Sequence, residues 1–509
     1  MSHEIRTPMN GVLGMLEMLT VGGLNEKQQE YVSVAQSSAD TMLVVINDIL
    51  DFSKLEAGKL TLEHIPFDVR ESVEDVTALC GAQAAAKGLD VSCYFPTDVR
   101  ADVLGDPNRL RQILVNLVGN AVKFTHVGEV AVSVSQVGFT GAMVRLRFEV
   151  RDTGIGINPA TRARLFESFS QGDTSTTREF GGTGLGLTIS HQLVTLMGGT
   201  LDVVSSEGRG TTFAVELEFD LQEGPGDGLA PFDAESRIRA LVVDDHMTSR
   251  SVLIRYLRDW GLRAEGATDS TQALAMLIQA ADSEHRDSFT MVFIDAQLPV
   301  VAGVTLADSI KGDSRIRDVR LVLIVSATRQ ESAPVDNQFE VSISKPVRQS
   351  VVRAVVAGVV DTSTPLVAIP LPELAQAPPA PRQFRGEVLL VEDNSVNQRV
   401  AKGMLARLGL ATAIAGDGAE ALRMLEQKQF DLVLMDCQMP VMDGFAATRE
   451  FRRTEPSGNR LPIIALTAGV MTGTEAACHL AGMDGYLSKP YRLAELQAAI
   501  EPWLSPLPD

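Results

Sequence analysis

The sequence contains 509 residues, of which 45% are hydrophobic and 22% charged, a composition typical of folded rather than disordered protein. At about 150 residues per domain, this length predicts three or four domains. The net charge of −20 comes without a Lys- or Arg-rich run. It argues against nucleic acid as a direct partner, because neutralising phosphates requires clustered cations.

The first 62 residues are predicted to form an α-helical hairpin. Mainly apolar side chains recur at alternating spacings of 4 and 3 residues over residues 5–19 and again over residues 31–52, with Gly22 and Gly23 between the arms. A repeat of about 3.5 residues makes a coiled-coil seam, and two such hairpins pair into a four-helix bundle. We therefore expect a homodimer.

The first candidate site is the segment HEIRTP at the start of this hairpin. Ile5 belongs to the apolar seam, whereas His3 and Thr7 are four residues apart and share another face of the helix. A solvent-facing imidazole can accept a phosphoryl group, and Glu4 could take the ring proton. A lone histidine would more often be an ordinary surface residue, but the whole segment and the seam favour a functional one.

Together with DILDFSKLEAGKL on the second arm, this segment resembles the dimerisation and phosphotransfer domain of sensor histidine kinases. The resemblance implies that His3 is the phosphoacceptor and that Glu4 is its activating base. It also implies that Thr7 positions a water molecule for the reverse, phosphatase reaction.

Residues 63–222 are predicted to form one α+β domain that contains four glycine- or amide-rich clusters. Amide oxygens can ligate Mg²⁺, a lysine can offset phosphate charge, and glycines let backbone N–H groups approach phosphate at a helix N-terminus. A carboxylate at a strand end can bind a base edge. The candidate residues, in chain order, are Asn116, Asn120 and Lys123 on one helical face, then Asp152, Gly154 and Gly156, then Gly182, Gly184 and Gly186, then Thr211.

In this order, the four clusters resemble the ATP-binding domain shared by histidine kinases, gyrase and related chaperones and repair proteins. The resemblance implies a Bergerat-type sandwich that binds ATP with Mg²⁺, with Asn116, Asn120 and Lys123 as the N box. It also implies that Asp152 binds adenine and that residues 166–169 form the F box near a mobile lid. A Walker A site is not predicted, since the sequence has no GxxxxGK[ST] segment.

An internal repeat follows a linker at residues 223–236. One copy is predicted over residues 237–360 and the other over residues 386–506, separated by a Pro-rich linker at residues 361–385. The buried strand ALVVDD of the first copy matches VLLVED of the second. Each copy alternates strands and helices, so we expect two α/β, flavodoxin-like parallel sheets.

In the second copy, acidic residues are predicted to meet at the carboxyl edge of the sheet. Clustered carboxylates repel one another unless a cation binds, and Mg²⁺ prefers such oxygen ligands. The residues are Glu392, Asp393, Asp436, Thr467 and Lys489. Structural helix caps explain one acid but not this set.

The pattern resembles response-regulator receiver domains. It implies that Asp436 is phosphorylated, that Glu392 and Asp393 hold the metal together with Asp436 and the Gln438 backbone, and that Tyr486 is the aromatic switch.

The first copy, hereafter the first receiver domain, keeps Asp244, Asp245, Asp295, Ser326 and Lys345. Phosphorylation of Asp295, with Asp244 and Asp245 as metal ligands, therefore remains chemically possible. At the switch position it has Ser342 instead of an aromatic residue. We expect this domain to be mainly regulatory, as a docking module, a ligand-binding module or a gate on the kinase.

Taken together, the motifs predict a hybrid histidine kinase of a two-component phosphorelay whose sensor region is absent. ATP would phosphorylate His3, and the group would move to Asp436, with Asp295 as a further acceptor. A separate histidine phosphotransfer protein and a downstream response regulator would follow. One alternative is a phosphatase or regulatory scaffold that controls another kinase, and a remote one is a gyrase- or chaperone-like ATPase.

The position of His3 indicates a longer protein. A helix frays in its first turn, where the N–H groups lack partners, and only two residues precede His3. We therefore expect an upstream portion with more of the helix, a sensor and any membrane anchor. In the given sequence no run of 18 apolar residues exists, and the four cysteines form no CxxC pair, which predicts a reducing, cytoplasmic setting.

Overall fold

The computed structural model describes most of the chain between residues 24 and 504. It divides into two compact units, residues 48–372 and residues 1–47 with 373–509. His3, Glu4, Thr7 and Gly182 lie outside the described residues. The described ranges are 24–167, 184–222, 238–283, 288–298, 305–326, 338–360, 383–455, 460–467, 474–489 and 493–504, with Val12, Met15, Leu16, Leu19, Phe232 and Tyr491.

The second arm of the predicted hairpin is helix α1 (Glu26–Glu56). Asn25 starts it, because its side chain accepts the Gln28 N–H at 2.9 Å while the Gln28 side chain accepts the Asn25 N–H at 3.1 Å. Tyr31 and Met42 of the predicted seam are 62% and 54% exposed. Part of the seam thus lies on an exposed face of α1, whereas Phe52 at its end packs against the apolar core of residues 69–221. No helix among the described residues is long and apolar enough to cross a membrane.

A seven-stranded sheet forms the mixed-sheet domain, in the order β1-β3-β7-β5-β4-β2 with β6 beside β7. Alternate residues of β5 are buried, so one face of the sheet packs on the helices. The strands are β1 (Ile65–Asp68), β2 (Asp90–Tyr94), β3 (Asp102–Gly105), β4 (Glu129–Phe139), β5 (Met143–Asp152), β6 (Thr200–Ser205) and β7 (Thr211–Leu221). The helices are α2 (Val69–Ala86), α3 (Pro107–Phe124), α4 (Pro159–Ala163) and α5 (Gly186–Leu196).

The first receiver domain has a five-stranded parallel sheet in the order β12-β11-β10-β8-β9. Its order, read from β9, is 2-1-3-4-5, which is the flavodoxin-like arrangement predicted from the sequence. The strands are β8 (Arg239–Val243), β9 (Arg263–Ala267), β10 (Met291–Asp295), β11 (Arg320–Ser326) and β12 (Val341–Lys345). The helices are α6 (Met247–Asp259), α7 (Ser270–Ala281), α8 (Leu306–Gly312) and α9 (Gln349–Val360).

The second receiver domain repeats this architecture in the order β14-β13-β15-β16-β17. All four strand pairs are parallel, so every strand presents its carboxyl end at the same edge. The strands are β13 (Glu387–Val391), β14 (Ala411–Ala415), β15 (Leu432–Asp436), β16 (Ile463–Thr467) and β17 (Gly485–Ser488). The helices are α10 (Ser395–Arg407), α11 (Gly418–Gln427), α12 (Gly444–Thr454), α13 (Thr474–Ala481) and α14 (Leu493–Ile500).

Within residues 48–372, the first receiver domain packs on α2 and β2 of the mixed-sheet domain. The fully buried Tyr256 donates its hydroxyl hydrogen to the Cys93 carbonyl at 3.0 Å and accepts the Phe95 N–H at 3.0 Å. Its ring stacks on Tyr94 with centroids 5.4 Å apart. Buried polar contacts thus join the two domains. Breaking one of these hydrogen bonds would cost free energy, because it would leave a polar group without its partner.

Glu74 makes a second buried contact between these domains and should make stability depend on pH. Its carboxylate is 5% exposed and accepts the Gln349 N–H at 2.8 Å. Burial raises the pKa of Glu74 from 4.5 to about 7, although the Gln349 N–H, Arg348 and Arg70 oppose this. Between these pH values the folded state holds a proton that the unfolded state has lost. The free energy of unfolding should therefore fall as pH rises through this window.

We expect Glu74→Gln to remove this contribution, which amounts to about 3 kcal/mol over the window. Thermal unfolding of both proteins between pH 4.5 and 8 would show wild type losing stability relative to the variant as pH rises towards 7. Identical pH dependence in the two proteins would contradict the assignment.

Candidate functional site

Helix α3 positions the amide pair of the predicted nucleotide site. The helix starts at Asp106, whose carboxylate accepts the Arg109 N–H at 3.0 Å. Two turns later, Asn116 Nδ2 donates to Ser190 Oγ at 2.8 Å, and Asn120 Nδ2 donates to Asn116 Oδ1 at 3.2 Å. The two amides therefore share one half-buried face, as their spacing predicts.

The start of α5 approaches this face closely because Gly186 has no side chain. A Cβ at Gly186 would lie 2.5 Å from Asn116 Oδ1, which real atoms do not tolerate. Gly184 takes the left-handed φ of +70°, which favours glycine. The first N–H groups of α5 thus lie beside the amide pair, and a helix N-terminus is suited to bind phosphate. The sequence analysis missed Ser190, which lies one turn after Gly186 and holds Asn116.

Asp152 ends β5 and is 6% exposed. Its Oδ1 accepts the Gly154 N–H at 2.8 Å and the Thr211 N–H at 3.2 Å. Burial raises the pKa of Asp152, and the two N–H groups oppose that rise. Thr211 is therefore part of this site through its backbone, while its hydroxyl contacts Ser205 Oγ at 2.9 Å.

Three glycines allow the backbone to close around Asp152. A Cβ at Gly154 would lie 2.4 Å from the Phe124 carbonyl oxygen, and one at Gly210 would lie 2.0 Å from the Asp152 carbonyl oxygen. Gly156 has a φ of +69° and no room for a Cβ beside Ser206. Gly154, Gly156 and Gly210 are thus steric requirements of the fold around this carboxylate.

Two further predicted features flank the pocket. Lys123 Nζ lies 5.1 Å from the Phe124 ring centroid, and burial followed by the charge of Lys87 lowers the pKa of Lys123. Phe166, from the predicted F box, stacks on His191 of α5 with centroids 4.8 Å apart. Glu167 of the F box is exposed and accepts a hydrogen bond from Arg164 Nε at 2.9 Å, whereas residues 168–169 and the predicted lid lie outside the described residues.

The second receiver domain gathers its acids at the carboxyl edge of the sheet. Carboxylate oxygens of Glu392, Asp393 and Asp436 all lie within 4.8 Å of one another. Lys489 Nζ donates to Asp436 Oδ2 at 2.6 Å and to Glu392. Burial raises the pKa of Glu392, against the opposing charge of Lys489. Three hard oxygen donors at this spacing fit Mg²⁺.

Thr467 faces the same pocket from the end of β16. It is 2% exposed, and its Oγ1 has no hydrogen-bond partner among the described residues. A buried hydroxyl without a partner is costly, so it indicates a place for a group rich in acceptor oxygens. The sequence analysis missed Asn397, whose Nδ2 donates to Glu392 Oε1 at 2.7 Å and so orients this acid.

The predicted switch residues each precede the pocket lysine by three residues, but their strand pairing differs by one residue between the two receiver domains. Tyr486 is paired with Ala465 and is 41% exposed, whereas Ser342 is paired with Leu323. The Gln438 N–H donates to Asp436 Oδ1 at 3.2 Å, so this backbone also borders the pocket.

The first receiver domain holds its lysine more tightly. Lys345 Nζ lies 2.7 Å from Asp295 Oδ2 and 3.0 Å from Asp244 Oδ2, both almost fully buried, while Asp245 is exposed. Burial lowers the pKa of Lys345, but nearby carboxylates outweigh this and raise it overall, with Asp90 as the largest.

The remaining polar groups of this pocket also have partners. Ser326 Oγ accepts a hydrogen bond from Gln297 Nε2 at 3.1 Å. A nitrogen of His246 lies with oxygens of Asp244, Asp245 and Asp295 within 4.8 Å. The sequence analysis missed Asp90, Gln297 and His246.

Comparison with known proteins finds three family matches. Residues 1–58 match the His Kinase A (phospho-acceptor) domain. Residues 105–221 match the histidine kinase-, DNA gyrase B- and HSP90-like ATPases. Residues 240–357 and 388–501 each match the response regulator receiver domain. No sensor domain is among these matches.

Individual relatives match nearly the whole chain. The sensor histidine kinase GacS of Pseudomonas protegens is 34% identical over 99% of this chain and 54% of its own length. BarA of Shigella flexneri, a signal transduction histidine-protein kinase, is 32% identical over 96% of this chain and 51% of its own. The chain therefore spans about half the length of these curated relatives.

A solved structure covers the same extent. The crystal structure of full-length ShkA in complex with AMPPNP shares 32% identity, covers 99% of this chain and 98% of that chain, and superposes with a TM-score of 0.57. AMPPNP is an analogue of ATP.

Asp152 should govern nucleotide affinity. Replacing it with Asn removes an acceptor oxygen in a buried pocket and should weaken ATP binding about 10- to 100-fold, since an unpaired buried donor on the ligand costs about 1–3 kcal/mol. Titration of the full chain with a fluorescent ATP analogue measures this, with Asp202→Asn on an exposed part of β6 as the matched control. Equal affinities of the two variants would contradict the role.

Glu392 should set the metal requirement of the second receiver domain. Glu392→Gln should raise the Mg²⁺ concentration for half-maximal phosphorylation of Asp436 by phosphoramidate at least about tenfold, because one charged ligand is lost. Borohydride trapping and peptide mass measurement report this, and the exposed Glu426→Gln of α11 is the control. An unchanged requirement in Glu392→Gln would rule out the site.

Proposed function

Because this chain belongs to the hybrid sensor histidine kinases, we propose that it phosphorylates His3 from ATP and passes the phosphoryl group to Asp436. The observation that carries the proposal is the second receiver pocket. There, oxygens of three carboxylates lie within 4.8 Å of one another and Lys489 binds two of these acids, while Thr467 at a strand end of the same sheet edge has a buried hydroxyl with no partner among the described residues. Such a set suits a phosphoryl group on Asp436, because the charge of its oxygens needs a cation and donors.

In the first step the mixed-sheet domain binds ATP. Asp152 would accept a hydrogen bond from the adenine amino group, and the N–H groups at the start of α5 would donate hydrogen bonds to the phosphates. Asn116 and Asn120 would hold Mg²⁺ through their amide oxygens, and Lys123 would offset phosphate charge. When bound, MgATP supplies the γ-phosphoryl group. The close approach of Gly186 to Asn116 supports this arrangement.

In the second step the hairpin supplies the nucleophile. Glu4 takes the proton from one ring nitrogen of His3 while the other nitrogen attacks the γ-phosphorus, and ADP leaves. Thr7 orients a water molecule when the reaction runs in the phosphatase direction. The exposed part of the α1 seam supports a homodimer in which two hairpins pair, since Tyr31, Met42 and Ile49 are exposed in the single chain.

In the third step an oxygen of Asp436 attacks the phosphorus of phosphohistidine, and the P–N bond breaks. Glu392, Asp393 and Asp436 would hold the metal, while Lys489 and Thr467 stabilise the phosphoryl oxygens. A separate histidine phosphotransfer protein would then carry the group to a downstream response regulator. The first receiver domain would be regulatory, with Asp295 as a second acceptor and Ser326 and Lys345 beside it.

Labelled ATP distinguishes this relay from a phosphatase or regulatory scaffold. Wild type should acquire label, and His3→Gln should lose more than about 95% of it, while the exposed His64→Gln should not. Asp436→Asn should trap the label as base-stable, acid-labile phosphohistidine. We expect Asp295→Asn to reduce relay flux far less. Absence of label on wild type would favour the scaffold, and an equal loss in both aspartate variants would refute a regulatory first receiver domain.

A further inference from the structure

We propose that the mixed-sheet domain closes the phosphoacceptor pocket of the first receiver domain, so that docking of these two domains and phosphorylation of Asp295 exclude each other. The proposal goes beyond the relay to Asp436. It rests on the proposed function only for the identity of the natural phosphoryl donor. Every contact that carries it lies within the compact unit of residues 48–372.

The pocket at Asp295 is covered by residues from the other domain. Its walls on the receiver side include Gln297, Ser326 and Lys345. The opposite wall is the end of α2 and the start of β2, within residues 81–91. The space between them is about 40 Å³, whereas the pocket beside Asp436 measures about 530 Å³. In the docked arrangement the described residues thus leave far less space beside Lys345, the partner of Asp295, than beside Gln438, the neighbour of Asp436.

The cover lies in direct contact with the receiver. A Cβ at Gly81 would be only 2.6 Å from Cδ of Pro346, the residue that follows Lys345. Helix α2 can approach this far only because position 81 carries no side chain. At this point the two domains therefore meet without a gap.

The charges at the interface also oppose phosphorylation. Lys345 Nζ lies 2.7 Å from Asp295 Oδ2 and 3.7 Å from Oδ1 of Asp90, a buried residue of the mixed-sheet domain. Asp90 is itself fixed by a hydrogen bond from Ser249. The cation that should neutralise a phosphoryl group is thus shared with a carboxylate of the other domain. Phosphorylation would raise the negative charge of the Asp295 side chain from one to about two, close to Asp90.

Other contacts hold the domains together. Tyr256 is paired with the backbone of Cys93 and Phe95, Glu74 accepts the Gln349 N–H, and Arg348 lies 3.0 Å from Asp75. Phosphorylation would have to break this set or strain it.

The transfer itself follows ordinary phosphohistidine chemistry. An oxygen of Asp295 would bond to phosphorus while the P–N bond breaks, and the electron pair returns to the imidazole nitrogen. By linkage, whatever factor docking imposes against phosphorylation, phosphorylation imposes against docking. The first receiver domain would then bind α2 and β2 while Asp295 is unphosphorylated and separate from them when Asp295 is phosphorylated.

The test uses the full chain with Asp436→Asn, a small donor (phosphoramidate with Mg²⁺), and borohydride trapping to follow Asp295. Because this donor bypasses His3 and ATP, the outcome is independent of the proposed kinase activity. We expect slow labelling of Asp295, and a rate about tenfold higher after Asp90→Asn or after Tyr256→Phe, which removes both hydroxyl hydrogen bonds. Asp98→Asn, an exposed carboxylate of the same domain, should leave the rate unchanged.

Hydrogen exchange provides a second measurement that needs no variant at the interface. The Phe95 amide, buried and bonded to Tyr256, should lose protection when beryllofluoride and Mg²⁺ load Asp295, and should keep protection in Asp295→Asn. Retained ATP-analogue binding shows that the variants are folded. Equal labelling rates in the parent and both interface variants, or unchanged Phe95 protection with Asp295 loaded, would overturn the proposal.

Discussion

The repulsion between carboxylates at the carboxyl ends of parallel strands is the constraint on which both receiver pockets depend. Two acids from neighbouring strands are buried close together, and a single lysine near the end of the last strand offsets part of their charge. Each pocket is therefore stable without a metal but has carboxylate oxygens in excess. Such a site is prepared for a divalent cation and for a second anionic group, because both can be balanced by charges already fixed in place.

The nucleotide pocket reaches a similar result by different means. No cation contacts Asp152 in the described part of the chain, and two backbone N–H groups stabilise its buried carboxylate instead. These N–H groups can approach only because glycines stand at the neighbouring positions. Charge in the receivers is balanced by a side chain, whereas charge in the mixed-sheet domain is balanced by the backbone.

Much of this could be predicted from the sequence, because strand ends and helix spacing bring motif residues together without knowledge of long-range packing. Asp436 ends strand β15 and Lys489 follows strand β17 of the same parallel sheet, so both lie at its carboxyl edge. Asn116 and Asn120 are four residues apart on one helix. The flavodoxin-like fold of the receivers is confirmed. The structure places the predicted acids of each receiver within 4.8 Å of one another, and their roles stay predictions. The roles of His3, Glu4, Thr7 and Gly182 stay predictions, since they lie outside the described residues.

The residues that no motif indicated are placed by contacts between segments that are distant in the sequence. Ser190 and Asp90 have no motif around them, and Glu74 meets Gln349 from 275 residues away. No local period or spacing encodes such pairs. They arise from how one domain surface fits another, which only the folded chain displays.

The shared position of Tyr94 has a consequence for how this part of the chain responds to damage. Although Tyr94 belongs to strand β2 of the mixed-sheet domain, it packs in the same apolar cluster as Tyr256 and Trp260 of the receiver. Because a residue of one domain packs in the core of the other, neither domain can unfold without disturbing its neighbour. Local unfolding of the receiver core would therefore also destabilise β2, the edge strand of the seven-stranded sheet. The two domains should then unfold as one cooperative unit when the protein is heated or proteolysed.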